Sequence, residues 1–396
     1  MKILKSTELD FNDVLIRPKS SSITSREIVD ITREYKFKWS DTVVRGTGII
    51  NANMGTIGNF NLARKMMDDD CFACLHKHHE IKELYKFYAD TLFWNGKRYK
   101  CFLSIGLRDD GISKIREIKK RNFDRIPPIC IDVPNGYISN VVELVKKVRD
   151  EFPECILMVG NVVTGDMTKK LIKSGADIVK CGIGGGGQCL TRKQTGVGRP
   201  QLSTIIECAK AAHKVGGLIC SDGGITCSGD IVKAFGAGAD FVMIGSLYAG
   251  TDEAEGDIIY EKEFTNIYTP DYYTYVGEGG ILTEPTEKAE ALPVFDEKKN
   301  RKETLRKYKL FYGMSSELAQ EKFGNGKSWY TTSEGRVSLV PYTGSVYDMN
   351  KEFLGGLRSG MAYIGAKKLE DISKYCEFYR VNNQLNRTYE TTTIGK

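Results

Sequence analysis

The residues best suited to chemistry lie in one short run. Gly182-Ile-Gly-Gly-Gly-Gly-Gln-Cys-Leu-Thr-Arg192 sets a cysteine, Cys189, after four successive glycines and just ahead of two hydrogen-bond donors, Thr191 and Arg192. A thiol attacks only as its thiolate, and nearby donors or positive charge favour that form. Glycines permit positive φ and let a ligand or ion approach main-chain carbonyl and amide groups. The same pattern also fits a strand-to-helix turn closing over a core cysteine. The rest of the chain has to decide between these readings.

Other candidate clusters read as architecture. Cys71-x-x-Cys74 has metal-ligand spacing but no second pair accompanies it, and the 11 cysteines as a set read as reduced thiols filling strands. His76, His78 and His79 crowd one short stretch without further ligands at a useful spacing. The formal charge of +6 comes from 57 basic and 51 acidic residues that are interspersed, which suits a phosphorylated small molecule better than nucleic acid. The basic run from Lys298 to Lys302 reads as solvated surface. Met1 to Asp10 carries charges where a signal peptide needs an apolar run, and nothing approaches about 18 consecutive apolar residues. The expectation is a cytoplasmic protein that engages no membrane.

The elements that must position Cys189 follow an alternating pattern. Short β-branched runs near 48–53, 72–75, 100–105, 129–133, 155–160, 178–182, 218–221 and 241–244 are separated by amphipathic stretches, notably 80–92, 138–152, 165–174, 201–215 and 228–235. Eight β/α units without a GxGxxG turn after the first strand predict a closed (β/α)8 TIM barrel rather than an open doubly wound sheet. Active residues of such barrels gather where strands end, here at Asn51 to Gly55, His76 to His78, Asp132 to Gly136, Gly160-Asn161, Gly184 to Arg192, Ser221 to Gly224 and Gly245-Ser246. The turns after strands seven and eight commonly cradle phosphate. Asp222-Gly223-Gly224 and Gly245-Ser246 fit that use, with the Asp222 carboxylate free to accept from ribose hydroxyls. The expected organisation is one catalytic domain over 1–396, with an insertion at 257–308 that reads equally as a partly ordered hairpin or a flexible excursion, serving as a lid or an assembly surface. An amphipathic helix is expected near 350–363.

Longer segments match a known family. Gly182-Ile-Gly with Cys189-x-Thr-Arg192, followed by Thr195-Gly-Val-Gly-x-Pro-Gln-Leu202, resembles the IMP dehydrogenase and GMP reductase superfamily, and more finely the GMP reductases. Phe11-x-Asp-Val-Leu-Ile-Arg-Pro-Lys19, Cys130-Ile-Asp-Val-x-Asn-Gly-Tyr137, Gly160-Asn-Val-Val-Thr-Gly165 and Leu310-Phe-Tyr-Gly-Met-Ser-Ser-Glu317 extend the resemblance over nearly the whole chain outside the insertion. It implies NADPH-dependent reductive deamination of GMP to IMP and ammonia. Cys189 would add to C2 of the base, and a thioimidate would remain once the amino group left. The amino group departs readily only once protonated, as ammonia, and the resemblance gives that proton delivery to Thr191 and Glu334.

The resemblance also implies binding residues. Asp222, Gly223, Gly224, Gly245 and Ser246 would hold ribose and phosphate, and Gly313, Met314, Ser315, Ser333 and Gly335 the base. Ser25, Arg26, Lys77, Asp132, Val133, Pro134, Ile183, Gly184 and Ser359 would contact NADPH. Backbone carbonyls of Gly184, Gly186 and Cys189 would bind a monovalent cation, K+, and the assembly would be a homotetramer. The chain departs from the family where Gly-Pro-Gly-Ser becomes Gly184-Gly-Gly-Gly187, and at Gly55, Leu190 and Thr331. The rivals are an IMP dehydrogenase oxidising IMP to XMP with NAD, which Glu334 and the missing regulatory module oppose, and a nucleotide-binding homologue that no longer turns over.

Overall fold

A computed structural model of the chain describes residues 3–91, 97–107, 110–121, 126–266, 272–277, 280–282, 290–294, 301–324 and 332–381. Eight strands, Ile49–Asn51, Ala73–Leu75, Cys101–Ile105, Ile129–Asp132, Leu157–Val162, Ile178–Cys181, Leu218–Asp222 and Phe241–Ile244, are built almost wholly from buried residues. Such runs suit strands covered on both faces, with helices outside and packed side chains inside. They pair in parallel in sequence order, with Ile129 opposite Leu157 and Met158 opposite Ile178. The eighth pairs with the first, Val242 opposite Ile49. The ring closes where the Phe72 amide donates to the Ile49 carbonyl (2.7 Å), beside a parallel bridge between Ile50 and Phe72. The fold is the (β/α)8 barrel that the periodicity predicts.

Helices Ile81–Thr91, Ser139–Glu151, Gly165–Lys173, Gln201–His213 and Ser228–Gly236 lie where the amphipathic stretches put them. Two more complete the alternation. Phe60–Asp68 is capped by Asn59, whose side chain accepts from the Leu62 amide (3.0 Å), and Asp110–Arg121 follows the third strand. The C-terminal helix Val346–Ile364 starts earlier than expected because Ser345 caps it, accepting from the Asp348 amide. It packs on Ser228–Gly236 through Gly356 and Gly360, where an added Cβ would lie 2.6 Å from Ser228 Cβ and 2.5 Å from Val232 Cγ1.

The residues expected to form an insertion continue the structure as antiparallel strands. Ile258–Asn266 pairs along its length with Arg301–Tyr312, which pairs in turn with Val337–Pro341. Residues 298–300 of the basic run lie outside the described residues. One buried lysine fastens this sheet to the barrel. Lys309 Nζ donates to the carbonyls of Ala254 (2.6 Å), Thr251 (2.9 Å) and Asp252 (3.4 Å), in the segment that follows the eighth strand. Among the described residues no helix is long and apolar enough to cross a membrane.

Candidate active site

At the C-terminal end of the barrel a cavity of about 370 Å³ collects the strand ends, the Gly182–Arg192 loop and the segments at 311–315 and 334–335. Cys189 stands on its wall. The preceding glycines turn the chain tightly enough for the Cys189 amide to donate to the Gly186 carbonyl (2.9 Å). Of these, Gly184 has no substitute: its φ is +82° and a Cβ there would lie 2.5 Å from Arg192 Cγ. Gly185 and Gly187 are less constrained, since added Cβ atoms would come no nearer than 3.6 Å to Gln201 Oε1 and 3.7 Å to Ser246 Oγ.

The acid partner arrives from far along the chain. The Leu190 amide donates to the Glu334 carbonyl (2.6 Å) and the Arg336 amide to the Gln188 carbonyl (3.1 Å), so Cys189 faces Gly335 in a short antiparallel bridge. This pairing aligns the side chains. The Cys189 thiol donates to Thr191 Oγ1 (3.1 Å), and the Thr191 hydroxyl donates to Glu334 Oε2 (2.6 Å). A proton can pass from sulfur to carboxylate through one hydroxyl. Ser333 braces the same loop by bonding the Ser315 (3.1 Å) and Gly335 (2.9 Å) carbonyls. Cys71, Cys74 and Cys101 are wholly buried thiols in the barrel wall; burial pushes Cys71 and Cys101 up to about 12 and Cys74 well above its ordinary value. They are inert packing, and among the described residues no cluster of His, Cys, Asp and Glu could hold a metal ion.

Charge is concentrated on the cavity floor. Lys180, on the sixth strand and only 3% exposed, donates to Asp132 Oδ1 (2.7 Å) and Asn53 Oδ1 (3.3 Å) and lies 3.2 Å from Asp222 Oδ2. Burial alone would lower the pKa of its ammonium, but Asp132 and Asp222 prevail and raise it well above the usual value. Burial likewise opposes the Asp132 carboxylate, which Lys180 and Lys77 nevertheless hold down at about 2. Asn161 ties Asp222 in place, donating to its Oδ2 (2.9 Å) and to the Gly182 carbonyl (2.8 Å). Beside the mouth His76 stacks on His79 at 3.7 Å, and His78 on Phe323 at 4.5 Å.

The sequence profile of the family described as "IMP dehydrogenase / GMP reductase domain" matches residues 8–303 and 295–388. The chain belongs to this family. Among its relatives, GMP reductase 2 of Mus musculus is 40% identical over 386 residues, 97% of each chain. The GMP reductase of Onchocerca volvulus is 40% identical over 98% of this chain and 95% of its own. That of Aliivibrio salmonicida is 40% identical over 98% of this chain and 99% of its own.

Most residues that the family resemblance singles out meet in the cavity. Cys189, Thr191 and Glu334 share it with Asp222, Gly223, Gly224, Gly245, Ser246, Gly313, Met314, Ser315 and Gly335. Lys77, Asp132, Val133, Pro134, Ile183, Gly184 and Gly186 line it too. Ser25, Arg26 and Ser359 are not among the lining residues. Ser25 caps the turn Arg26–Ile28, which lies against helix Val346–Ile364, and the Ser359 hydroxyl donates to the Gly355 carbonyl within that helix. The loop carbonyls have the chemistry a cation needs: among the described residues those of Gly184 and Cys189 accept no hydrogen bond, and that of Gly186 accepts one.

The family's departures have local explanations where they are described. At Gly55 an added Cβ would meet Phe323 Cε2 at 2.9 Å and Tyr312 Oη at 3.0 Å, so an aromatic ring occupies the room a side chain would take. Leu190 contributes its amide to the Glu334 bridge, which any side chain allows. Thr331 lies outside the described residues. Asn53, His78, Asn161 and Lys180 also line the cavity; the first three belong to the strand-end segments that the barrel pattern marks, whereas Lys180 lies outside them. Lys180 had a visible signal, a charged residue within the apolar run Ile178-Val-Lys-Cys181.

Proposed function

We propose that this chain reduces GMP to IMP and ammonia with NADPH, through a thioimidate on Cys189, as part of purine nucleotide interconversion. The observation that carries the reading is the continuous line from the Cys189 thiol through Thr191 to Glu334. In the first step the thiol proton moves along this line to Glu334, and sulfur adds to C2 of the guanine. Glu334 then returns the proton through Thr191 to the exocyclic amine, which leaves as ammonia and collapses the adduct to the thioimidate. NADPH, when bound, supplies the hydride that replaces the amino group at C2. Expulsion of the Cys189 thiolate yields IMP, and one proton from solvent resets the thiol.

Asp222 fits the ribose hydroxyls as an acceptor, and Gly223, Gly224, Gly245 and Ser246 offer backbone amides and a hydroxyl to phosphate. Gly313, Met314, Ser315 and Gly335, braced by Ser333, would face the base. Val133, Pro134, Ile183 and Gly184 shape the neighbouring wall for the cofactor, with Asp132 to accept and Lys77 to meet a 2′-phosphate. Ser25, Arg26 and Ser359 lie outside this cavity; in a homotetramer a neighbouring copy would be able to bring them to the cofactor. K+ bound by the carbonyls of Gly184, Gly186 and Cys189 would stiffen the catalytic loop. The protein would act in the cytoplasm as one catalytic domain.

The test is incubation of the protein with GMP plus NADPH and, separately, with IMP plus NAD. The expected result is loss of NADPH absorbance with stoichiometric IMP and ammonia in the first mixture, abolished by Cys189→Ala. Oxidation of IMP without reduction of GMP would overturn the reading in favour of a dehydrogenase.

A further inference from the structure

One buried cation is shared by the two halves of the cavity. The ammonium of Lys180 has three N–H donors and three acceptors around it: Asp132 Oδ1 (2.7 Å), Asp222 Oδ2 (3.2 Å) and Asn53 Oδ1 (3.3 Å). Asp222 belongs to the nucleotide side and Asp132 to the cofactor side. Asp132 also reaches outward, its Oδ2 lying 3.7 Å from Lys77 Nζ at the mouth, and Lys77 is one-third exposed. At the other end Asn161 donates to Asp222 (2.9 Å). An unbroken line of alternating charge thus runs from Lys77 through Asp132 and Lys180 to Asp222.

We infer that Lys180 is a positioning residue that couples nucleotide binding at Asp222 to cofactor binding at Lys77, so that an occupied nucleotide site favours a cofactor carrying a 2′-phosphate. The inference rests on the proposed assignment of the two ends of the cavity. Two carboxylates compete for one ammonium. Ribose hydroxyls donating to Asp222 satisfy its oxygens and weaken its hold on Lys180, whose charge then falls more fully to Asp132. Asp132, better neutralised, attracts Lys77 less strongly. Lys77 is released to pair with an anionic group arriving from solvent. The same exchange run backwards makes a bound 2′-phosphate favour the nucleotide, as reciprocity of coupled equilibria requires.

The experiment measures NADP+ and NAD+ affinity by calorimetry, with and without saturating GMP, on the full chain carrying Cys189→Ala to stop chemistry. GMP is expected to tighten NADP+ by about fivefold or more, the lower end of common coupling strengths, and NAD+ by less. Adding Lys180→Met should bring both ratios close to one. Because that variant leaves two half-buried carboxylates without the cation they share and can fail to fold, Asp132→Asn is measured alongside; it keeps the lysine and the shape and should also bring the ratio close to one. A purely structural lysine would lower affinities without changing the ratio. An unchanged ratio in either folded variant, or no coupling in the chain that retains Lys180, overturns the inference while leaving the reductase reading intact. Absence of any GMP binding, together with no NADPH consumption by the unaltered protein, overturns the reading of the cavity and this inference with it.

Discussion

Thr191 sits between the nucleophile and the acid, and its hydroxyl has two jobs that valine cannot do: accepting from Cys189 and donating to Glu334. Thr191→Val should lower kcat by about 100-fold or more, the usual scale for loss of a proton-transfer partner, with a smaller change in KM. Glu334→Gln should act similarly, and the double variant should be little worse than either single one, because the three residues work as a unit. Steady-state kinetics on the three variants decides this; additive losses would break the relay into independent parts. The glycines make a second, sharper case. Gly184→Ala forces a Cβ onto Arg192 at a positive φ, at a cost of about 1–3 kcal/mol, and should cripple turnover. Gly187→Ala has room and should leave kcat within a few-fold; equal damage from both would contradict the contacts described. Cys189 was legible from its glycine-rich frame, and Glu334 only through family resemblance, because no local pattern records a partner 145 positions away in sequence. Lys180 went unassigned for a related reason: its three partners lie on three other strand ends or the loops beyond them, and a charge in an apolar run reads alone as an anomaly.

Strands proved the most readable elements, since runs such as Ile129-Cys-Ile-Asp132 and Phe241-Val-Met-Ile244 bury both faces and leave the eye no competing period. Helix Asp110–Arg121 was harder to see. Its apolar face is only Ile112, Ile115 and Ile118, diluted by Lys114, Arg116, Lys119, Lys120 and Arg121. Phe60–Asp68 is short and runs into three aspartates that mimic a loop. Beyond Asp257 a hairpin is among the sequence expectations, but the strand bounds are not legible because the residues mix Lys, Glu and Tyr and the long pairing of Ile258–Asn266 with Arg301–Tyr312 spans a large gap in sequence. Lys309 fixes that sheet to the barrel, so Lys309→Met should strand the Ala254 carbonyl at about 1–3 kcal/mol, while the Thr251 carbonyl keeps only the Ala254 amide as donor. Thermal unfolding should show a clear drop in Tm, and activity should fall with it because Gly313 to Ser315 continue from the same strand. A variant as stable as the parent would mean that the loop finds other donors.

For the molecule as a whole, the histidines dictate how stability responds to acid. Burial, reinforced by His79 and His78, pushes His76 down to about 2; burial and then Lys77 push His78 down to about 4; His79 is lowered too. An unfolded imidazole titrates near 6.5. Below that value the unfolded chain binds protons that the folded chain refuses, so these residues cost stability as pH falls from 6.5 toward 4 for His78 and toward 2 for His76. His213 opposes them: its hydrogen bond to Asp240 raises its pKa, adding stability that is full below 6.5 and lost as pH rises through the raised value. Three against one gives a lower Tm at about pH 5 than at about pH 7.5, and His76→Phe should shrink the difference; a flat profile would refute the balance. The bridge between 188–190 and 334–336 has a consequence in time. A chain is made from its N-terminus, and early segments begin to fold before later ones exist. The eight barrel strands end at Ile244, well before Glu334 is synthesised. A nascent barrel therefore carries its thiol without an acid to serve it, and gains a working proton relay only when the last third of the chain folds back over the rim.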